Sequence, residues 1–272
     1  MDRRKMLLAA TAGALSTVAV VNAQPVARQP RMGQANVPFL LVHGAFHGGW
    51  AWRRVADRLR VAGHPVFTPT LTGMGERAHL IGSNVNLETH IADVVSVIEN
   101  EELENVVLVG HSYAGIVVSG VADRINEKLD QLVYFDAVLP KNGKSWSDFN
   151  TPEVVAQRRA EVAQKGNGFR WAVEQSPAGY GITDDLEAAW LRRRFSHFPF
   201  EAYLQPLRFQ GPGTGTLRKT YINCTQPALR PIDQFRARAI ADPAYRVVEL
   251  AAGHDGMVNK PREVAEILLG LV

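Results

Sequence analysis

A single cysteine, Cys224, stands in the 272 residues, so no disulfide can close within the chain. It lies in the apolar run Tyr221–Thr225 and is expected to be buried as a small hydrophobe. Long hydrophobic runs are missing too. The longest uncharged apolar stretch, residues 6–21, falls short of the ~20 residues that a spanning helix needs, so no stable membrane anchor is expected. There is no basic stripe interleaved with aromatics, and nucleic acid is not an expected partner. The glycine-rich stretch 211–215 lacks the lysine of a phosphate-binding loop. His43 and His47 sit among glycines on a loop rather than on one helix face, which argues against a metal pair, and neither a metal nor a cofactor is expected. Internal repeats and low-complexity tracts are absent beyond the first residues.

The beginning of the chain reads as an export signal. Arg3, Arg4 and Lys5 precede the apolar stretch, and Val21-Asn22-Ala23 offers a cleavage site after Ala23. The paired arginines resemble a bacterial twin-arginine signal, which predicts a periplasmic or secreted protein. The formal charge of +3 includes three basic and one acidic side chain in residues 1–23, so the remainder is about +1 and carries no strong electrostatic message. Residues 24–36, with Pro25 and Pro30, read as a linker.

Residues 37–272 alternate strand and helix patterns. Short apolar runs at 37–42, 65–69, 105–110, 129–138, 217–224 and 245–250 read as strands. Helical periodicity appears at 50–62, 87–98, 114–125, 232–241 and 261–269. Such alternation predicts an α/β fold, a mostly parallel sheet with helices on both faces. Residues 141–216 break the rhythm with helical pieces at 152–164 and 184–194 and hold 11 of the 22 aromatics, as an insertion between two sheet strands.

Three loops follow strands and carry reactive residues. Gly110-His111-Ser112-Tyr113-Ala114-Gly115 joins an apolar strand to a helix. A serine on so sharp a turn is pushed out over the sheet edge, so Ser112 is the expected nucleophile. The usual pattern is G-x-S-x-G, and Ala114 is a small-residue departure from it. His43-Gly44-Ala45-Phe46-His47 also follows a strand. Attack on an acyl carbon builds negative charge on oxygen, which needs backbone N–H donors already in place. Tyr113 supplies one, and Ala45, or alternatively Phe46, the other. His254, on a loop after the strand 245–250, is the expected general base. Its orienting acid is expected at Asp136, which ends a strand at the same sheet edge, with Asp233, inside the next helix, as the alternative. Asp255 adjoins His254 and cannot fold back on its neighbour's ring. His111 is expected to pack within the turn.

Leu71-Thr72-Gly73-Met74-Gly75-Glu76-Arg77-Ala78-His79-Leu80, taken with the serine turn, resembles the α/β-hydrolase superfamily, in the branch of plant methyl esterases, hydroxynitrile lyases and bacterial esterases. The resemblance runs from about residue 37 to the end and implies a serine esterase acting through an acyl-enzyme on small hydrophobic esters. It also implies that 141–216 forms a cap over an apolar pocket. Plant members place the acid in a C-T-x-D context, and here Cys224-Thr225-Gln226-Pro227 lacks it. A lactonase, or a C–C lyase of the hydroxynitrile lyase type, is the alternative. Those lyases carry a threonine where this chain has Ala45, and a lysine near the histidine loop. A hormone-receptor role is not expected of an exported chain. The sequence leaves the oligomeric state open.

Overall fold

The computed structural model describes residues 36–173 and 176–272. The expected signal and nearly all of the linker lie outside these residues. Six parallel strands form one sheet, in the order Val66–Phe67, Phe39–Val42, Val106–His111, Leu129–Phe135, Arg218–Cys224 and Tyr245–Leu250 from edge to edge. Chain order begins with β1 (Phe39–Val42), a 3₁₀ turn (Gly49–Trp52), α1 (Arg53–Val61), β2 (Val66–Phe67), α2 (Leu87–Asn100), β3 (Val106–His111), α3 (Ala114–Arg124) and β4 (Leu129–Phe135). The stretch between β4 and β7 holds α4 (Pro152–Lys165), β5 (Arg170–Trp171), α5 (Asp185–Arg192), β6 (Phe198–Pro199) and α6 (Phe200–Leu204). The sheet then resumes with β7 (Arg218–Cys224), α7 (Asp233–Ala241), β8 (Tyr245–Leu250), α8 (Gly256–Asn259) and α9 (Pro261–Leu269).

Alternate residues of each central strand feed the two faces, as the two-residue period of a strand requires. Leu40, Val42, Leu108, Leu132 and Tyr134 pack with α2, α3 and α7 on one side. Phe39, Leu41, Val107, Val109, Val133 and Phe135 pack with α1, α5 and α9 on the other. All six residues of β3 are buried, the mark of a central parallel strand covered on both faces.

The departures from the sequence reading have local causes. The strand at 65–69 shrinks to Val66–Phe67, because prolines at both ends withhold N–H groups from the ladder. The helix expected at 50–62 opens as a 3₁₀ turn and becomes α-helical only at Arg53. β4 ends at Phe135 rather than at 138, because Asp136 turns into the left-handed region with φ of 43°. The two-residue strands β5 and β6 pair antiparallel inside the insertion, too short to leave a period in the sequence. The insertion's base is closed by Lys144 and Leu207, whose backbones bridge antiparallel.

Candidate active site

Ser112 occupies the turn between β3 and α3 with φ of 54°, a region that non-glycine residues rarely adopt. The turn is pinned from both ends. The Ser112 N–H donates to the Phe135 carbonyl at 3.2 Å, and its own carbonyl accepts from Val138 N–H at 2.9 Å. A Cβ at Gly115 would lie 2.1 Å from the Val138 carbonyl oxygen, so a side chain is impossible there. Ala114 is buried and accommodated. Steric demand for glycine falls one residue later than the usual pentapeptide places it. Gly44 is the second close approach, since a Cβ on it would meet Ser112 Cβ and His111 Nδ1 at 2.8 Å. The loop after β1 is thereby seated directly against the serine turn.

Asp136 and His254 meet although 118 residues separate them. His254 Nδ1 donates to Asp136 Oδ2 at 2.7 Å, and both side chains are almost wholly buried. That bond fixes the tautomer and leaves Nε2 as the acceptor. The Asp136 N–H donates to the Ile222 carbonyl at 2.8 Å, which aims the carboxylate toward the loop after β8. Ser112 and His254 line one cleft with Ala45, Phe46, Trp146 and Phe235. This cleft encloses about 770 Å³ of empty space, its open mouth included. Asp233 does not touch His254. It is the first residue of α7 rather than an interior one, and it pairs with Arg236.

Arg236 escaped sequence reasoning. Its guanidinium forks onto Asp136, Nε to Oδ1 at 3.0 Å and Nη2 to Oδ2 at 3.1 Å, while Nη1 holds Asp233. A planar, permanently charged fork on a buried carboxylate keeps that carboxylate from being an uncompensated charge.

Beside His254 lies a second buried pair. Asp255 turns away from its neighbour's ring, as expected, and its Oδ2 accepts from His47 Nε2 at 3.0 Å. His47 Nδ1 donates to the Ala45 carbonyl at 2.7 Å. Both ring nitrogens face acceptors, which is the arrangement of an imidazolium. Burial opposes the charge, but the Asp255 carboxylate, through its charge and its hydrogen bond, outweighs it and raises the His47 pKa. The bond to the Ala45 carbonyl also fixes the peptide plane that carries the Phe46 N–H, which points to the opposite side. Phe46 has φ of 69°. Neither the Ala45 nor the Phe46 N–H donates to a protein acceptor among the described residues.

Three other buried histidines are neutral. His43 Nδ1 donates to the Gly44 carbonyl, and its Nε2 accepts the Leu71 N–H; desolvation lowers its pKa to about 3. His90 Nε2 donates to the Thr72 carbonyl, and its Nδ1 accepts the Tyr113 hydroxyl at 2.9 Å; desolvation lowers its pKa to about 4. His111 Nε2 donates to the His254 carbonyl at 3.1 Å, which steadies the histidine loop from the serine turn. Burial, then the neighbouring His254, pushes its pKa well below the ordinary value. No signal in the sequence distinguished these roles, because each depends on a partner far along the chain.

Residues 39–267 match a family described as the alpha/beta hydrolase family. The chain is 43% identical over 242 residues to the carbendazim hydrolyzing esterase of Nocardioides sp. (strain SG-4G), covering 86% of this chain and 98% of that one. It is 27% identical over 254 residues to methylesterase 7 of Arabidopsis thaliana, covering 85% and 94%. Among solved structures it is similar to an extracellular alpha/beta-hydrolase from a Paenibacillus species, described as sharing structural and functional homology with tobacco salicylic acid binding protein 2. That likeness has a TM-score of 0.76 at 21% identity and covers 86% of this chain and 98% of that one.

Proposed function

The chain belongs to the alpha/beta hydrolase family, and from that premise we propose that it hydrolyses small carboxylic esters with Ser112 as nucleophile, His254 as general base and Asp136 as the orienting acid. One observation carries this reading: the 2.7 Å bond from His254 to Asp136 lies behind the same cleft that Ser112 lines. Ser112 Oγ attacks the acyl carbon and gives its proton to His254 Nε2. The alcohol leaves with that proton, and water then releases the acyl group by the reverse relay. The Ser112 hydroxyl has no hydrogen-bond partner among the described residues, and bonds of this kind tighten once substrate is seated. Developing oxyanion charge falls to the Tyr113 N–H at the start of α3 and to the Ala45 or Phe46 N–H, a contribution of about 3–4 kcal/mol per donor in comparable sites.

The same machinery would open a lactone. It suits cyanohydrin cleavage poorly, because a departing cyanide needs a cation next to the base, and the residue next to His254 in the chain is Asp255, a carboxylate. A panel of p-nitrophenyl esters, lactones and a cyanohydrin separates these reactions. Turnover is expected on the esters, weaker turnover on lactones and none on the cyanohydrin. Cyanide release exceeding ester hydrolysis would overturn the reading.

The insertion at 141–216 is the cap of this reading, and its aromatics wall the acyl or alcohol side of the cleft. Export belongs to the proposal as well. Arg3-Arg4 and the short apolar run support cleavage after Ala23 and a periplasmic or secreted enzyme. N-terminal sequencing of the periplasmic fraction should begin at Gln24. A chain recovered from the cytosol with Met1 intact would remove this part.

A further inference from the structure

The cleft is lined mostly by rings, among them Phe46, Trp146, Phe149, Trp171 and Phe235, yet one cap residue on its wall is a cation. Arg158, on α4, is half-buried and lies over the Trp171 ring at 4.6 Å and the Tyr203 ring at 5.2 Å. Its Nη1 donates to the Tyr203 hydroxyl at 2.7 Å and to Asn150 Oδ1 at 3.2 Å. Both acceptors are neutral. Of the five guanidinium N–H groups, three have no acceptor, and no carboxylate lies within ion-pair distance, among the described residues.

The charges on the cleft wall are unbalanced in a way that selects ligands. His47 is matched by Asp255 behind the wall. Arg158 has no such match, and the described lining includes neither aspartate nor glutamate. A structural clamp would need only the two rings and the neutral acceptors. The unused N–H groups of a fork that is planar and weakly hydrated are what a carboxylate is built to accept, two oxygens at a time. Apolar walls strengthen that attraction by holding water away.

Resting on the esterase reading, we propose that Arg158 is a specificity residue that binds a carboxylate at the end of the substrate remote from the scissile ester. The preferred substrates are then half-esters of flat aromatic diacids, whose ring lies against the cap aromatics while the ester reaches Ser112. Hydrolysis consumes one water, breaks the acyl C–O bond, and yields the diacid and the alcohol. Because the remote contact exists before and throughout the reaction, it acts on KM more than on kcat.

Monomethyl and dimethyl terephthalate test this, since they share a ring and a scissile methyl ester and differ in one charge. The wild-type enzyme is expected to favour the monomethyl ester by about 10- to 100-fold in kcat/KM, chiefly through KM, the size of a charge-assisted hydrogen bond. Arg158→Gln should bring the ratio to one or below. Arg158→Lys keeps the charge without the fork and should retain part of the preference, and it serves if the glutamine variant does not fold. A wild-type ratio near one overturns the inference without any variant, and so does a preference that Arg158→Gln leaves unmoved. Failure to cleave either ester overturns it too. If p-nitrophenyl acetate is also untouched, the esterase reading falls with it; if that ester is cleaved, only the role of Arg158 is lost.

Discussion

Asp136 accepts hydrogen bonds from two sides at once, from His254 Nδ1 and from the Arg236 fork, while its backbone sits in a left-handed turn. The two contacts separate by magnitude when the carboxylate is changed to its amide. Asp136→Asn presents an N–H where His254 needs an acceptor and favours the wrong tautomer, so kcat is expected to fall by about 10⁴. Asp233→Asn removes only the outer, mostly exposed partner of Arg236 and is expected to cost less than about 1 kcal/mol of stability and little activity. Steady-state kinetics on both variants decide the matter: a crippled Asp233→Asn beside a near-normal Asp136→Asn would move the acid to α7. The placement of Ser112, Asp136 and His254 at one edge of the sheet was legible in the sequence, because each follows the end of a parallel strand, where the backbone must turn. Arg236 was not. The nine residues of α7 offer both Arg236 and Arg238 with weak periodicity, and only packing turns one onto Asp136 and the other onto the Leu139 and Pro140 carbonyls.

The loops after β1, β3 and β8 are three separate elements that become one through His47, His111 and Asp255. His47 ties the first to the third by an ion pair with Asp255, and His111 ties the second to the third through the His254 carbonyl. Breaking a buried pair from one side leaves the other charge uncompensated, which costs about 3–5 kcal/mol. Asp255→Asn is expected to lower the unfolding free energy in denaturant titration by less than that, because His47 can shed its proton and stay buried as a neutral ring. It should also reduce kcat with little change in KM, because a neutral His47 holds the Ala45 carbonyl, and with it the Phe46 N–H, less firmly than an imidazolium does, and that donor matters most in the transition state. A rise in KM alone would contradict this coupling. The sequence placed His47 and Asp255 on the right loops but could not join them, since the partners lie 208 positions apart and either residue alone is unremarkable. The core elements were readable where they were long and apolar, as in β3 and α2. The insertion's two-residue strands were not, because a two-residue element has no period.

For the whole molecule, the buried histidines make stability depend on pH from both sides. His43, His90 and His111 are held neutral, with folded values below the ordinary 6.5. Below pH ~6.5 the unfolded chain takes up protons that the folded chain refuses. Their contribution is complete above that pH and is lost as pH falls toward 4 and 3, on the order of 1 kcal/mol per pH unit for each histidine. His47 has the opposite sign. Its folded pKa is raised, so its contribution is complete below pH ~6.5 and is lost as pH rises through the folded value. Denaturant midpoints measured from pH 4 to 9 should trace a dome with a steep acid limb, and Asp255→Asn should flatten the alkaline limb while leaving the acid limb at least as steep, since a buried neutral His47 then resists protonation too. A monotonic rise with pH in both proteins would show that His47 is not charged in the fold. The central claim concerns the intact enzyme in turnover, and trapping its covalent intermediate tests it most directly. Wild-type protein mixed with p-nitrophenyl acetate and quenched in acid should show one acetyl group, mapped by peptide mass spectrometry to Ser112, and Ser112→Ala should show neither adduct nor more than a few per cent of the hydrolysis. An acetyl group on another residue, or ester hydrolysis surviving in Ser112→Ala, would contradict the account.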